Sequence, residues 1–157
     1  MAKRKDNNDW LWELIFALAG LFGLIWLLNK ILSQPKGSIG IGGLKYKRNL
    51  YPYITKEGKE LFKNDLEGLE HNEITTVLQM VVKARQSEIL SMPFFKTLKG
   101  TSITAELRQD HFRVMLYRVS ADDYLMLSVF KKKTDETPKN EITKAENRLA
   151  EYVSRKG

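Results

Sequence analysis

Apolar positions along this chain follow three different patterns. Residues 10–28, WLWELIFALAGLFGLIWLL, are apolar all round a helix and carry one charge, Glu13. At about 1.5 Å per residue this run reaches about 28 Å, close to the roughly 30 Å of a bilayer's hydrocarbon core. Trp10, Trp12 and Trp26 lie near its ends, where indole rings favour the headgroup zone. The pattern predicts a transmembrane helix over 10–32, behind a basic tail over 1–9. A cleaved signal peptide competes, since the chain starts MAKRK, but the run is long for one and no small-x-small cleavage site follows. A buried or partner-bound helix is the third reading. Pro35 and a cluster of glycines then predict a linker or edge segment over 33–49. Their spacing fits no phosphate-binding loop.

From residue 50 onward the apolar positions become periodic. Leu61, Phe62, Leu66 and Leu69 predict a short helix over 56–69. Ile74, Val77, Leu78, Val81 and Val82 recur at helical spacing and predict a longer one over 72–90, with Asn72 as its N-cap and Pro93 preventing continuation. Residues 102–109 alternate, with Ile103, Ala105 and Leu107 on one face and Glu106 and Arg108 on the other. Residues 112–119 and 124–130 are almost continuously apolar, as strands buried on both faces are. The connections QDH and SADD are turn-like, so these three strands form an antiparallel meander. Pro138 suits the first turn of a last helix, capped by Thr137 and lined by Ile142, Ala145, Leu149 and Tyr152. A strand near 44–54 would complete the sheet. The predicted fold class is α+β: a helical hairpin and a C-terminal helix packed on an antiparallel sheet over 50–157, preceded by a single transmembrane helix.

Charge changes this picture locally. The net charge of the 157 residues is +7. Residues 1–49 hold eight basic and three acidic residues, a net of +5, and the remainder a net of +2. Any anion site in 50–157 is therefore a local cluster. The basic residues after the hydrophobic run outnumber those before it, which places the C-terminal part in the cytoplasm of a single-pass protein of the cytoplasmic membrane. Cysteine is absent and the two histidines lie far apart in sequence, so the sequence supplies no metal-ligand set and no cofactor motif.

The stretch SVFKKKTDETP poses the chemical question. A strand delivers Lys131, Lys132 and Lys133 to one point, where they are either a solvated end that guards the sheet or an anion site. His111 is a titratable group in the adjacent turn, catalytic or merely exposed. His71 falls between two helices as a structural residue. Tyr117 reads as core and Tyr152 as core or substrate contact.

The order and spacing of several short motifs carry a resemblance. They are K-x-L-K-G (Lys96 to Gly100), E-L-R (Glu106 to Arg108) and F-R-V-x-L-Y (Phe112 to Tyr117). F-K-K-K-T-x-x-T-P (Phe130 to Pro138) and E-I-x-x-A-x-x-R (Glu141 to Arg148) follow. Together they resemble the RelE/ParE toxin superfamily, in its HigB-like, phage-derived branch, most strongly over 94–153. The resemblance implies a metal-free endoribonuclease that cleaves messenger RNA on the ribosome and is neutralised by a cognate antitoxin. The family's functional positions carry over to Arg108, Arg113 and Lys131 to Lys133. With the chemistry of RNA cleavage, the candidate catalytic residues are Arg108, Arg113 and Lys132, with Lys96, Lys99, Lys131, Lys133 and His111 as candidate substrate contacts. Metal-free cleavage needs a base for a 2′-OH, cations for the phosphorane and an acid for the leaving oxygen. A lysine crowded by other cations has a lowered pKa and can exchange protons. The membrane run leaves two alternatives open: a non-catalytic binding module on the same fold, for RNA or protein, and membrane damage by the hydrophobic segment itself.

Overall fold

The computed structural model describes residues 20–156. Helix α1 (Leu21–Ser33) leads to strand β1 (Asn49–Pro52). A helical hairpin follows, α2 (Leu61–Glu67) and α3 (His71–Gln86). The chain then forms β2 (Phe95–Thr97), β3 (Ala105–Gln109), β4 (Phe112–Arg118) and β5 (Asp123–Lys131), and ends in α4 (Lys139–Lys156). The strands make one sheet in the order β1-β5-β4-β3-β2. β2 to β5 are antiparallel neighbours, whereas β1 lies parallel to β5. The sheet is thus mixed rather than purely antiparallel, and β2 is a strand that the alternation did not announce.

The periodic residues close the core as their spacing predicts. Ile74, Val77, Leu78, Val81 and Val82 of α3 are all buried, as are Ile103, Ala105 and Leu107 at β3. β4 and β5 are buried along nearly their whole length. The cap of α3 lies two residues before the expected Asn72. Glu70 occupies the N-cap, and Glu73 accepts its backbone N–H at 3.0 Å in a reciprocal capping box. At α4 the amides of Glu141 and Ile142 donate to the Pro138 carbonyl, so that proline takes the cap position expected of Thr137 and the helix begins at Lys139. Arg148 fastens α4 to the rest. Its guanidinium grips Asp65 of α2 bidentately, at 2.6 and 3.0 Å, and donates to the Leu127 carbonyl at 2.8 Å.

The expected transmembrane helix over 10–32 is corrected. Residues 1–19, with the basic tail and the first half of the hydrophobic run, lie outside the described residues. The described part, α1, has 13 residues, about 20 Å of helix. Its Leu24, Ile25, Leu28 and Ile31 form a one-sided stripe, buried where α1 packs on α3 and β1. Protein, not lipid, covers those side chains. The far end is fixed too. Arg85 of α3, fully buried over the Tyr46 ring, donates to the Ile31 and Gln34 carbonyls at the end of α1. Among the described residues no helix is long and apolar enough to cross a membrane. The single-pass placement in the cytoplasmic membrane, with a cytoplasmic C-terminal domain and the bilayer as partner, goes with it.

Candidate functional site

Strand register decides which cations meet. Residues paired directly across antiparallel strands share a face. Arg108 of β3 stands opposite Arg113 of β4, and Arg113 stands opposite Phe130 of β5. Two residues further along β5, Lys132 returns to that face. A two-residue turn, Asp110 and His111, joins β3 to β4, with Asp110 at φ +51°, a left-handed conformation that aspartate tolerates. The Lys132 backbone N–H donates to the His111 carbonyl at 2.5 Å, so the end of β5 is tied to this turn.

The result is an open cleft of about 300 Å³, lined by Arg108, His111, Arg113, Lys132, Lys133, Thr134 and Asp135. All three expected catalytic residues, and two of the five expected substrate residues, are brought together. Thr134 and Asp135 were not foreseen; they follow the lysine run directly, and that is the only sequence signal for them. Arg113 is 7% exposed, and its Nη1 donates to the Asp110 and Phe112 carbonyls at 3.0 and 2.8 Å. Burial, and then the neighbouring Arg108 charge, pull its pKa below the ordinary value, while Glu106 acts in the opposite sense. A guanidinium stays charged through such a shift.

The remaining residues fall elsewhere. Lys131 lies on the opposite sheet face, paired with Phe112. There its Nζ binds Glu73 of α3 at 2.8 Å. The hydrogen bond and charge of Glu73 raise the pKa of Lys131, and Lys131 in turn lowers that of Glu73. That is the reverse of the shift expected for a lysine crowded by cations. Lys96 is exposed on the edge strand β2, opposite Glu106 and hence on the cleft face, but outside the cleft lining. Lys99 is exposed beyond the end of β2. Tyr117 packs against the core. Tyr152 lines a second, larger hollow of about 400 Å³ with Tyr51, Pro52, Ile54, Val119 and Leu125. That hollow sits at the other end of β5 and shares no lining residue with the cationic cleft.

Glu106 lies beneath the cleft, at a depth that alternation does not address. It shares the face of Arg108, as the alternation implied, but it is buried, with Oε1 3.5 Å from Arg108 Nε.

Fold and site together define a small α+β protein whose sheet carries a cluster of cations at one end. Residues 64–150 match the family described as "Phage derived protein Gp49-like (DUF891)". The match spans more than half of the chain, and the chain belongs to that family, which is a RelE/ParE-like toxin family. Such membership is consistent with the toxin of a toxin-antitoxin pair and implies an antitoxin partner. No curated protein matches the chain.

Proposed function

We propose that the protein is the toxin of a toxin-antitoxin pair and cleaves messenger RNA, on the ribosome, by metal-independent transesterification. The observation that carries this reading is the meeting of Arg108, Arg113, Lys132 and His111, drawn from β3, β4, the end of β5 and a turn, in one cleft. An RNA strand laid in the cleft places its scissile phosphate on Arg113. The planar fork of Arg113 holds two phosphate oxygens as the pentacoordinate phosphorane gains charge. Arg108 grips the neighbouring phosphate. Lys132 exchanges protons with the reacting oxygens, while Lys133 and His111 hold the flanking backbone. Lys96 and Lys99 extend the cationic track along the sheet edge. Lys131, turned away toward Glu73, takes no part in the step and fixes the strand end on which Lys132 rides.

The test is expression of the full chain and of Arg113→Ala in growing cells, with primer extension on a reporter message. Growth arrest and message breaks with the wild type, both lost in a variant that melts normally, are expected. Arrest without breaks, or equal arrest by both proteins, contradicts nuclease action. RNA bound but left intact identifies a binding module instead.

A further inference from the structure

Below the cleft lies a layer of polar groups that the cleavage step above does not use. Arg108 and Arg113 are direct cross-strand neighbours, a like-charge pairing that on its own destabilises a sheet. Two residue pairs along, Glu106 stands opposite Met115, which stands opposite Ser128. Glu106, Arg108, Arg113 and Ser128 therefore share one face. Glu106 is 3% exposed and Ser128 fully buried. Glu106 Oε1 lies 3.5 Å from Arg108 Nε, in ion-pair range. Glu106 Oε2, Arg108 Nε, Arg113 Nε and Ser128 Oγ are all buried and without a hydrogen-bond partner among the described residues. A buried carboxylate persists only where other groups compensate its charge. Here the two guanidiniums do so, and they are the groups that receive substrate.

We propose that Glu106 is a positioning residue: its buried carboxylate fixes where the Arg108 and Arg113 guanidiniums stand and cancels one of their two charges until a phosphate arrives. The inference rests on the nuclease reading. A phosphodiester carries one negative charge and the phosphorane more. A cleft held at reduced positive charge grips the ground state less, and guanidiniums already in place act when charge develops. Removing the carboxylate therefore has opposite effects on binding and on chemistry. A merely structural glutamate would lower both together.

The experiment uses the full chain with ribosomes programmed by a 2′-O-methyl oligoribonucleotide that cannot be cut, or by the same RNA unmodified. Glu106→Gln is expected to bind the modified strand about 3- to 10-fold more tightly, with a steeper salt dependence, because the cleft gains one net charge. It is expected to cut the unmodified strand at least about 10-fold more slowly, because the guanidiniums lose their fixed stance. Glu106→Asp keeps the charge but withdraws it by one methylene, so affinity stays near wild type while the rate falls. Affinity unchanged or weakened in Glu106→Gln, or a wild-type cutting rate, overturns the proposal. Should Glu106→Gln melt well below wild type, Glu106→Asp decides: retained affinity with lost rate supports the proposal, and both retained overturns it. If the wild type binds but never cuts, the nuclease reading fails, and the binding contrast alone judges the carboxylate's role: tighter binding by Glu106→Gln upholds charge cancellation and equal binding removes it.

Discussion

Arg85 and Arg113 are both buried arginines with no carboxylate hydrogen-bonded to them among the described residues, yet they sit in regions built for different ends. Arg85 commits its guanidinium nitrogens to backbone carbonyls: Nε to Arg48, and the two terminal nitrogens to Ile31 and Gln34. Its flat face rests 3.9 Å from the Tyr46 ring centroid. Arg113 engages only Nη1, leaves Nε without a partner, and opens into a cleft beside other cations. The difference separates a structural cation from one available to a substrate. Saturated donors at a helix end neutralise carbonyls that the helix cannot satisfy itself. Unsaturated donors next to like charge await an anion. Arg48 belongs with Arg85, since it caps the end of α3 through the Ala84, Ser87 and Glu88 carbonyls.

Substitutions can break this contrast. The largest effect belongs to the cleft: Arg113→Ala is expected to lose about 100-fold or more in RNA cleavage, the scale seen when a charge-stabilising donor is removed, with a melting curve close to wild type. Arg148→Ala removes the bidentate partner of Asp65 and leaves it Lys144 Nζ at 3.6 Å, with the Arg148 and Asp65 side chains both about one-tenth exposed. Breaking a largely buried, hydrogen-bonded pair from one side costs about 3 kcal/mol or more, read by urea unfolding. Arg85→Met fills the same volume but abandons the Ile31 and Gln34 carbonyls. It is expected to lower stability by about 2 kcal/mol while the folded fraction cuts RNA at the wild-type rate. An Arg85→Met protein that melts normally yet fails to cut would reverse the two assignments.

The smallest effect concerns Glu73 and Lys131. Glu73 has its folded-state pKa lowered below 4.5, by the Lys131 hydrogen bond first and then by the Glu70 backbone. Its contribution to stability is therefore present above that value and fades as pH falls through the lowered pKa. Lys131 is raised above 10.5, so its contribution is present below that value and is lost only as pH rises through the raised pKa. Lys131→Ala is expected to flatten both ends of a plot of melting temperature against pH slightly, and to leave cleavage within about twofold of wild type, since the side chain faces α3. A large loss of cleavage would place Lys131 in the cleft after all.

The same physics explains what the sequence made legible. Period-3.6 and period-2 patterns held for α3, α4 and β3 to β5 because burial on one or both faces dictates them. β2 escaped notice because Phe95–Thr97 is too short to show alternation. The run apolar all round over 10–28 misled because lipid and protein cover apolar side chains equally well; only tertiary contact distinguishes them. The lysine run was legible as a cluster, but a strand's alternation splits it, sending Lys131 to Glu73 and Lys132 to the cleft. Glu106 was placed on the right face, but its burial was not legible, since a charge read along one strand says nothing of what packs above it.

The central claim is that cations from separate strands handle a phosphodiester directly in the cleft. The most direct test is the end chemistry of a message translated on ribosomes in the presence of the full chain, beside Arg113→Ala. The account predicts 2′,3′-cyclic phosphate and 5′-hydroxyl ends that appear with the wild type and vanish with the variant. Intact RNA from a well-folded wild type, or 5′-phosphate ends, would contradict it.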